Sequence, residues 1–247
     1  MPSIFISGAA TGIGRAVAER FLAEGWTVGA YDIDPVTWSD EVVAGHLDVR
    51  DAASWDAALA DFATHTGGRI DVLDNNAGII IDGPLASAAV ADVERLLDVN
   101  CLGVVLGART AFPYLRGGGT LVNMSSASAI YGQPDIAAYS ASKFFVSGLT
   151  EALGLEWRRE QIRVIDIKPL WAKTKVADVD AASVRRLGVR ITPEQVADAV
   201  WDAVHPRGRW GRAKVHHGVS RLDKALALGR KSGSDRMAKV ITRFLAG

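Results

Sequence analysis

The sequence predicts an α/β fold, with a doubly wound, mainly parallel sheet covered by helices on both faces. Apolar strand-like and helical segments alternate from residue 3 to about residue 217, which is typical of parallel strands joined by helical crossovers. The 247 residues suffice for one substantial core, and the sequence contains no linker, repeat or low-complexity tract. We therefore predict a single domain over residues 1–247, with a helical extension over residues 219–247.

A strand, a glycine-rich turn and a helix open the chain. The apolar run Ser3-Ile4-Phe5-Ile6-Ser7 is typical of a buried strand, and Gly8-Ala9-Ala10-Thr11-Gly12-Ile13-Gly14 follows it directly. Val17 and Phe21 then continue a helical spacing that Gly25 ends. Glycines here permit a tight turn and a close approach to a pyrophosphate at the helix N-terminus. The spacing GxxxGxG is not the common GxGxxG, and an ordinary glycine-rich turn is the alternative. The candidate cofactor contacts are Gly8, Thr11, Gly12, Ile13 and Gly14.

A carboxylate ends the second predicted strand. Residues Trp26 to Tyr31 form that strand, and Asp32 follows it. A carboxylate about 20 residues beyond the glycines can accept both ribose hydroxyls, and it repels a 2′-phosphate. Neither Ile33 nor Thr11 is a cation that could receive that phosphate. The sequence therefore favours NAD over NADP, although Asp32 could instead only begin a turn.

A tyrosine and a lysine form the candidate catalytic pair. Tyr139 and Lys143 are four residues apart, so on a helix they share one face. An ammonium beside a phenol lowers the tyrosine pKa, which would make a general base usable near neutral pH. The serine pair at 125–126 could supply a hydroxyl that binds a substrate oxygen. Alone, the pair could equally be a packed tyrosine beside a solvated lysine.

Taken together, the motifs of this chain resemble the short-chain dehydrogenase/reductase family. Their order and separations span most of the chain and are far more specific than any one of them. The resemblance implies a Rossmann domain that binds NAD(P) and an oxidoreductase acting on a secondary alcohol or its ketone. The matching segments are Gly8 to Gly14, Asp48-Val49, Asn75-Asn76-Ala77-Gly78, Asn100, and Ser126 with Tyr139-Ser140-Ala141-Ser142-Lys143.

The resemblance implies cofactor contacts in the middle of the chain. Asp48, beside Val49, would contact the adenine amino group, or it could be only a helix-capping residue. The segment Asn76, Ala77 and Gly78 follows a strand predicted over Ile70 to Leu73 and would run beside the cofactor. An Asn-Gly turn is the alternative for that segment.

The resemblance also implies the catalytic set. The family spacing of 13 residues before the tyrosine selects Ser126 over Ser125. Lys143 would lower the pKa of Tyr139 and hydrogen-bond the nicotinamide ribose. Asn100 would hold a water that connects the lysine to solvent, or it could be a satisfied polar group of the core.

The chain departs from the family pattern after the catalytic helix. A sixth strand is predicted over residues 162–167. Pro169 and Thr174 match the family segment that follows it, and Leu170 replaces a glycine. Thr174 would bond the cofactor carboxamide. A helical stretch from Leu222 to Leu245 replaces the family's glycine-rich tail, which serves tetramer packing. This stretch could cap the pocket, dock on a partner subunit or lie on a membrane surface.

The resemblance implies that the helix of Tyr139 and the helix of Asn100 pack against a symmetry mate, so we expect a homodimer, with a tetramer possible. The catalytic helix has further apolar positions for this contact at Phe145, Leu149, Ala152, Leu153 and Trp157.

The resemblance implies a small-molecule substrate, and the composition gives no sign of other partners. The 28 basic and 28 acidic residues cancel, so we expect no nucleic acid as partner. Cys101 is the single cysteine and is expected to be a buried small hydrophobe. His216 and His217 would point to opposite faces of a strand, so we expect no metal site. We recognise no secretory signal and no integral membrane segment, and expect a cytoplasmic protein.

The substrate walls are expected in the loops 79–85, 127–136 and 170–191. Their apolar side chains favour an apolar alicyclic, aryl or steroid-like alcohol, although several could belong to the core. An isomerase or dehydratase on the same scaffold, or a non-catalytic NAD-binding regulatory protein, are the alternatives. The apolar candidates are Ile79, Ile80, Ile81, Leu85, Ile130, Tyr131, Ile136, Leu170, Trp171 and Val176.

Overall fold

A seven-stranded sheet forms the centre of the molecule. The computed structural model describes residues 1–174, residues 179–232 and Arg243. The strands are β1 (Ser3–Ser7), β2 (Thr27–Asp32), β3 (Val43–His46), β4 (Val72–Asn75), β5 (Thr120–Met124), β6 (Arg163–Lys168) and β7 (His216–Gly218). Their order is β3-β2-β1-β4-β5-β6-β7, and every pairing between these strands is parallel. The predicted doubly wound sheet is confirmed, and it is parallel throughout these strands.

Helices cover both faces of the sheet. The α-helices are α1 (Gly12–Ala23), α2 (Ala52–Thr66), α3 (Val90–Leu97), α4 (Gly103–Leu115), α5 (Ala137–Glu156), α6 (Ala182–Leu187), α7 (Pro193–Val204), α8 (Gly208–Ala213) and α9 (Arg221–Ser232). A π-helical turn over Asp98–Leu102 joins α3 to α4. Helices α1 and α7 pack together over one face, and α2 and α4 pack together over the other.

Strand β1 shows why this sheet is buried on both sides. Its five residues are all buried, and successive side chains point to opposite faces. Ile4 and Ile6 enter the core under α1, where Val17 is buried. Phe5 enters the opposite core, where its ring stacks on Tyr31 with centroids 4.5 Å apart. Continuous apolar runs are the pattern expected of such strands.

The strand order places a crevice at the carboxyl end of β1. This strand lies between β2 and β4, with Ser7 opposite Tyr31 and Ile6 opposite Asp74. The chain order reverses here, so the loops after β1 and β4 diverge and leave room for a ligand. The glycine-rich turn and the segment after Asn75 therefore meet at the same edge of the sheet.

The element bounds differ slightly from the predicted ones. Strand β2 ends at Asp32, β4 runs two residues beyond Leu73, and β6 begins at Arg163. Helix α5 ends at Glu156, and a 3₁₀ turn over Trp157–Glu160 follows it. Shifts of one or two residues reflect fraying and pairing at element ends, which local sequence does not determine.

One helical segment is long and apolar enough to cross a membrane by length and composition. It runs from Val90 to Leu115, and 44% of its apolar window is buried inside the protein. Val104, Ala108 and Ala111 of this segment are buried, so part of it packs in the protein interior. Cys101 is half-buried here, and burial raises the pKa of its thiol.

The predicted C-terminal helical extension is described only in part. Helix α9 covers Arg221–Ser232, whereas Met237, Ile241 and Leu245 lie outside the described residues. Leu226 packs against Ile130 and Tyr131, and its carbonyl accepts a 3.2 Å hydrogen bond from the Tyr131 hydroxyl. This contact places α9 against one of the loops expected to form the substrate walls.

Strand β4 carries a carboxyl group into the apolar core. Asp74 is fully buried between Ile6 and Val122 on the neighbouring strands. Neither side-chain oxygen has a hydrogen-bond partner among the described residues. Burial raises the pKa of Asp74 to about 8, because the charged form loses its hydration without a compensating partner.

The buried carboxyl makes folding stability depend on pH. Folded Asp74 holds its proton up to about pH 8, whereas an unfolded aspartate releases it near pH 4. The native state therefore binds more protons than the unfolded state between these pH values. The contribution of Asp74 to stability falls as pH rises through that window. We expect the free energy of unfolding of the Asp74→Val variant to rise relative to that of the wild type by roughly 1 kcal/mol for each pH unit upward within the window.

Urea unfolding at pH 5 and pH 8 measures this effect. Asp74→Asn serves as the matched control, because it keeps the size of the side chain and removes only the titration. Identical pH dependence in the wild type and in Asp74→Asn would show that Asp74 does not carry the effect.

Candidate active site

The carboxyl ends of the central strands open into one cleft of about 770 Å³. Most of the residues selected from the sequence line this cleft. Gly14 and Asn100 are the two that do not. Those that line it are Gly8, Thr11, Gly12, Ile13, Asp32, Asp48, Val49, Asn76, Ala77, Gly78, Ser126, Tyr139, Lys143, Pro169 and Thr174.

The glycine-rich turn brings helix α1 close to strand β1. Gly8 and Gly12 have φ values of +72° and +62°, which favour glycine. A Cβ at Gly14 would lie 2.1 Å from Gly8 O and 2.5 Å from Asn76 Nδ2. The role of Gly14 is therefore to let helix α1 pack closely against the turn, since Gly14 itself does not line the cleft. Thr11, at the N-cap of α1, makes no side-chain capping bond, so N–H groups of the first turn remain available beside the cleft.

Asp32 connects the end of β2 to the glycine-rich turn. One carboxylate oxygen accepts a 2.8 Å bond from the N–H of Ala10, and the other accepts a 3.0 Å bond from the N–H of Asp34. The bond from Asp34 forms the turn that the sequence offered as the alternative role of Asp32. The carboxylate also lines the cleft, so the turn and a ligand contact are compatible.

Asp48 forms an ion pair at the far end of the cleft. Its carboxylate accepts from Arg50 Nη2 at 2.7 Å and from Arg50 Nε at 2.9 Å, and this guanidinium lowers the pKa of Asp48. The helix-capping alternative for Asp48 is wrong. Asp51 caps α2 instead, since its carboxylate accepts from the N–H of Ala53.

Asn100 is a fully buried residue of the π-helical turn. Its Oδ1 accepts from the N–H of Ile79 at 2.9 Å, and its Nδ2 donates to Ile79 O at 2.8 Å and to Ser142 Oγ at 3.1 Å. A Cβ at Gly78 would lie 3.4 Å from both Asn100 Oδ1 and Lys143 Nζ. Asn100 is thus a satisfied core group that also reaches the space beside the lysine.

Buried amides hold helix α5 against the sheet. Asn75 Nδ2 donates to Asn123 Oδ1 at 3.0 Å, and Asn123 Nδ2 donates to Thr150 Oγ1 at 2.9 Å. This chain links β4, β5 and α5. Because Tyr139 and Lys143 both lie on α5, it also fixes the position of the catalytic pair.

Tyr139 and Lys143 lie together, with Lys143 Nζ 5.6 Å from the centre of the tyrosine ring. Burial raises the pKa of Tyr139 to about 12, and a hydrogen-bonding contact with Ser126 is a smaller, opposite effect. Burial also lowers the pKa of Lys143 to about 8, and its Nζ donates to Met124 O at 2.8 Å. The predicted lowering of the tyrosine pKa is wrong, because it neglected the burial of the phenol.

The two serines before the catalytic helix have separate environments. Ser125 is buried, and its hydroxyl contacts Ser147 Oγ at 3.1 Å and Lys143 O at 3.3 Å. Ser126 Oγ accepts a 3.1 Å bond from the N–H of Ser128, and the Ser126 hydroxyl makes the hydrogen-bonding contact with Tyr139. This arrangement favours Ser126 as the serine that contacts a substrate.

The segment after β6 closes on the glycine-rich turn. Pro169 O accepts a 2.9 Å bond from the N–H of Ala127. Further along, Thr174 lies so close to Gly12 that a Cβ there would be 3.4 Å from Thr174 Cγ2. The replacement of a glycine by Leu170 is compatible with this geometry.

The walls of the cleft are less apolar than expected. Among the apolar candidates only Ile79, Leu170 and Trp171 line it, and Val176 lies outside the described residues. The other described candidates do not line the cleft. A position in a loop does not by itself tell whether a side chain packs in the core, lines a cleft or is exposed to solvent. Ile80, Ile81 and Ile136 pack in a small cluster with Leu96. Ile130 and Tyr131 pack near α9, and Leu85 is exposed.

Sequence reasoning missed polar residues of the cleft. Ser128 and Gln133 line it, as do the cations Arg95 and Lys173. The signal for the first two was the presence of polar residues, Ser128, Gln133 and Asp135, within the segment 127–136, whose apolar side chains were expected to form the wall. That pattern alone does not distinguish a cleft residue from an exposed loop residue.

The sequence model of the family described as short chain dehydrogenase matches residues 2–183. The chain belongs to this family. The 3-alpha-(or 20-beta)-hydroxysteroid dehydrogenase of Mycobacterium tuberculosis is 36% identical over 182 residues, which cover 70% of each chain. The meso-2,3-butanediol dehydrogenase of Serratia marcescens is 33% identical over 210 residues, covering 78% of this chain and 83% of that one.

Solved structures share the architecture. The 3-ketoacyl-(acyl-carrier-protein) reductase of Brucella melitensis, complexed with NADH, is 26% identical with a TM-score of 0.78 and covers 88% of this chain and 96% of its own. A short chain dehydrogenase of Burkholderia cenocepacia, complexed with NADP, is 23% identical with a TM-score of 0.82 and covers 99% of this chain and 97% of its own. The second likeness concerns the fold alone. This short-chain dehydrogenase is therefore an oxidoreductase with alcohol-dehydrogenase-like relatives, and NADH and NADP both occur among its structural neighbours.

Proposed function

We propose that this protein transfers a hydride between a secondary alcohol or its ketone and NAD. The observation that carries this proposal is the shared cleft, in which Ser126, Tyr139 and Lys143 lie beside the glycine-rich turn and Asp32. A nucleotide and a small alcohol could therefore meet at the catalytic tyrosine.

The nucleotide half of the cleft fits a dinucleotide. The uncapped N–H groups at the start of α1 suit a pyrophosphate, because a helix N-terminus attracts anions. Gly12 leaves the backbone open at this point, since only Thr174 approaches the position of a Cβ there. Asn76, Ala77 and Gly78 continue the lining toward the catalytic residues.

The charge at the end of β2 supports NAD over NADP. Each oxygen of Asp32 already accepts one backbone N–H, yet a carboxylate has about four acceptor positions. The remaining positions can accept ribose hydroxyls, whereas a 2′-phosphate would meet a negative charge. The guanidinium of Arg50, which also lines the cleft, is already paired with Asp48.

The catalytic half positions a proton donor. NAD, when bound, supplies the hydride acceptor of the reaction. Since the pKa of Tyr139 is about 12, its phenol is protonated at neutral pH and can give its proton to a ketone oxygen. In alcohol oxidation we propose that Tyr139 first gives its own proton to the neutral amine of Lys143 and that its phenolate then takes the hydroxyl proton of the substrate. The hydroxyl of Ser126, which contacts Tyr139, would hold the substrate oxygen.

Lys143 is suited to exchange that proton with solvent. Its pKa of about 8 lies close to the operating pH, where proton transfer is most efficient. We propose that the proton leaves through the space beside Gly78, which Lys143 Nζ and Asn100 Oδ1 both reach.

The substrate class is a small alcohol with an apolar body. Ile79, Leu170 and Trp171 supply apolar surface at the cleft, which supports an alicyclic, aryl or steroid-like skeleton. We also propose a cytoplasmic location, since a chain with one cysteine has no intrachain disulfide that would need an oxidising compartment.

Helix α5 carries an apolar stripe that supports a homodimer. Its exposed positions recur at helical spacing on the side opposite the buried Tyr139 and Lys143. Phe145 is 44% exposed and Leu155 is 77% exposed, and the other residues of the stripe are small. We propose a twofold dimer through this stripe, since closed twofold symmetry is the commonest assembly. The stripe consists of Ala141, Phe145, Gly148, Ala152 and Leu155.

Cofactor preference tests the role of Asp32. We expect NAD to be preferred over NADP by at least about tenfold in kcat/KM, or about 1.4 kcal/mol, and Asp32→Ala to narrow that gap. Initial rates with both cofactors measure it, and Asp40→Ala, an exposed aspartate outside the cleft lining, is the control. Equal efficiency of the wild type with NADP would contradict the assignment.

Turnover tests the role of the tyrosine. Tyr139→Phe should lower kcat by roughly 10²–10⁴ and leave NADH binding nearly intact, because the phenol transfers a proton without holding the cofactor. NADH absorbance reports turnover, and NADH fluorescence reports binding. Lys143→Ala should impair both, and Tyr131→Phe, which loses a hydroxyl outside the cleft lining, should retain turnover. Near-normal kcat in Tyr139→Phe would refute the mechanism.

Light scattering at micromolar concentration tests the assembly. We expect a dimer for the wild type and a monomer for Phe145→Glu, because a buried unpaired charge would oppose association. Trp210→Glu, a charge at a 93% exposed aromatic away from α5, is the control and should remain dimeric. A tetramer would show a second interface, and a wild-type monomer would refute pairing through α5.

A further inference from the structure

One side-chain oxygen of each of two residues that line the cleft lacks a hydrogen-bond partner among the described residues. Ser128 is 2% exposed, yet its Oγ has no hydrogen-bond partner among the described residues. Gln133 Oε1 is likewise shielded from solvent and unpartnered within those residues. Both residues line the same cleft as Ser126 and Tyr139. Buried polar atoms in native proteins are nearly always satisfied, so two unpartnered atoms on residues that line a cleft indicate groups that gain a partner when a ligand binds.

Hydrogen bonds hold this pair in a fixed place beside the catalytic residues. Ser140 Oγ donates to Ser128 O at 2.7 Å and accepts from the N–H of Gln133 at 3.3 Å. The N–H of Ser128 in turn donates to Ser126 Oγ. Because Ser140 is buried and adjacent to Tyr139 on α5, the backbones of Ser128 and Gln133 are fixed relative to the reacting tyrosine.

Ser128 and Gln133 share the cleft with apolar side chains that could contact the substrate. The nearby substrate walls contain Ile79, Leu170 and Trp171, and the indole N–H of Trp171 already donates to Ser183 Oγ at 3.2 Å. The Ser128 hydroxyl and the Gln133 amide oxygen are therefore unpartnered polar positions in a cleft that also offers apolar surface. A hydroxyl with an amide offers both donors and acceptors, which complements a neutral hydroxyl or carbonyl oxygen.

We propose that Ser128 and Gln133 form a specificity-determining subsite for a second oxygen on the substrate. This inference rests on the proposed alcohol dehydrogenase activity and narrows its substrate class to a diol or a hydroxyketone with an apolar skeleton. An analogue without the second oxygen leaves both polar groups unpaired in the complex, and sites of this kind discriminate strongly against such analogues.

Matched alcohols on one ring skeleton test the subsite. Cyclohexanol is compared with the 1,2-, 1,3- and 1,4-cyclohexanediols, in turnover with NAD and in calorimetric affinity for the enzyme holding NADH. We expect the wild type to favour at least one diol by on the order of tenfold in kcat/KM and in affinity. Ser128→Ala and Gln133→Met should each remove most of that preference and leave cyclohexanol within about twofold.

The two readouts separate the subsite from the proposed function. Ser87→Ala, at an exposed serine outside the cleft lining, is the control and should behave as the wild type. If no alcohol gives NADH, the proposed function fails, and the calorimetric preference alone then decides the subsite. Equal affinity of the wild type for every diol and cyclohexanol would overturn the subsite. An equal loss for diols and cyclohexanol in both variants would overturn it too, because it would indicate a merely structural role.

Discussion

The close approach of helix α1 to the turn after β1 is the constraint on which the site depends. Gly14 fits only because it has no side chain, since a Cβ would lie 2.1 Å from Gly8 O. Asn76 Nδ2 reinforces this contact by donating to Ser7 O and Gly8 O, both at 3.0 Å. The ends of β1 and β4 are thereby joined at the point where the strand order reverses, and Gly12 and Ile13 at the start of α1 line the cleft.

Burial of the proposed catalytic pair, Tyr139 and Lys143, has a cost to stability. The unfolded chain holds the lysine proton up to its ordinary pKa of 10.5, whereas folding lowers the pKa of Lys143 to about 8. Stability therefore rises as pH increases through that window, and it is reduced at neutral pH. The same burial keeps Tyr139 protonated and brings the lysine pKa close to the pH at which proton exchange is useful. Such conflicts between stability and activity are common at functional sites.

Polar residues elsewhere in the core connect the sheet to its helices. Asp166 is fully buried on β6, where Ser147 donates to it at 3.0 Å and His216 Nδ1 lies 2.9 Å from its carboxylate. His216 Nε2 also contacts Glu151 on α5 at 2.9 Å. This network attaches β7, a strand of three residues, to α5 and β6. Asp74 differs, because no comparable partner surrounds it among the described residues.

Sequence by itself determined the parallel sheet and the family of this protein. Apolar runs such as Ile4 to Ile6 predict strands buried on both faces, and the spacing of Tyr139 and Lys143 follows from helical geometry alone. These features depend on local order along the chain, which the sequence states directly. For the same reason Asp32 could be assigned to the end of β2 before its contacts were known.

Tertiary structure decided what depends on burial and on distant contacts. It reversed the expected direction of the Tyr139 pKa, because desolvation arises from the whole fold and not from the nearby lysine. It assigned the helix cap to Asp51 and left Asp48 to pair with Arg50. It also separated wall residues from core residues in the loops, since facing a cleft is a property of the packed chain. The unpaired atoms of Ser128 and Gln133 become visible only at this level.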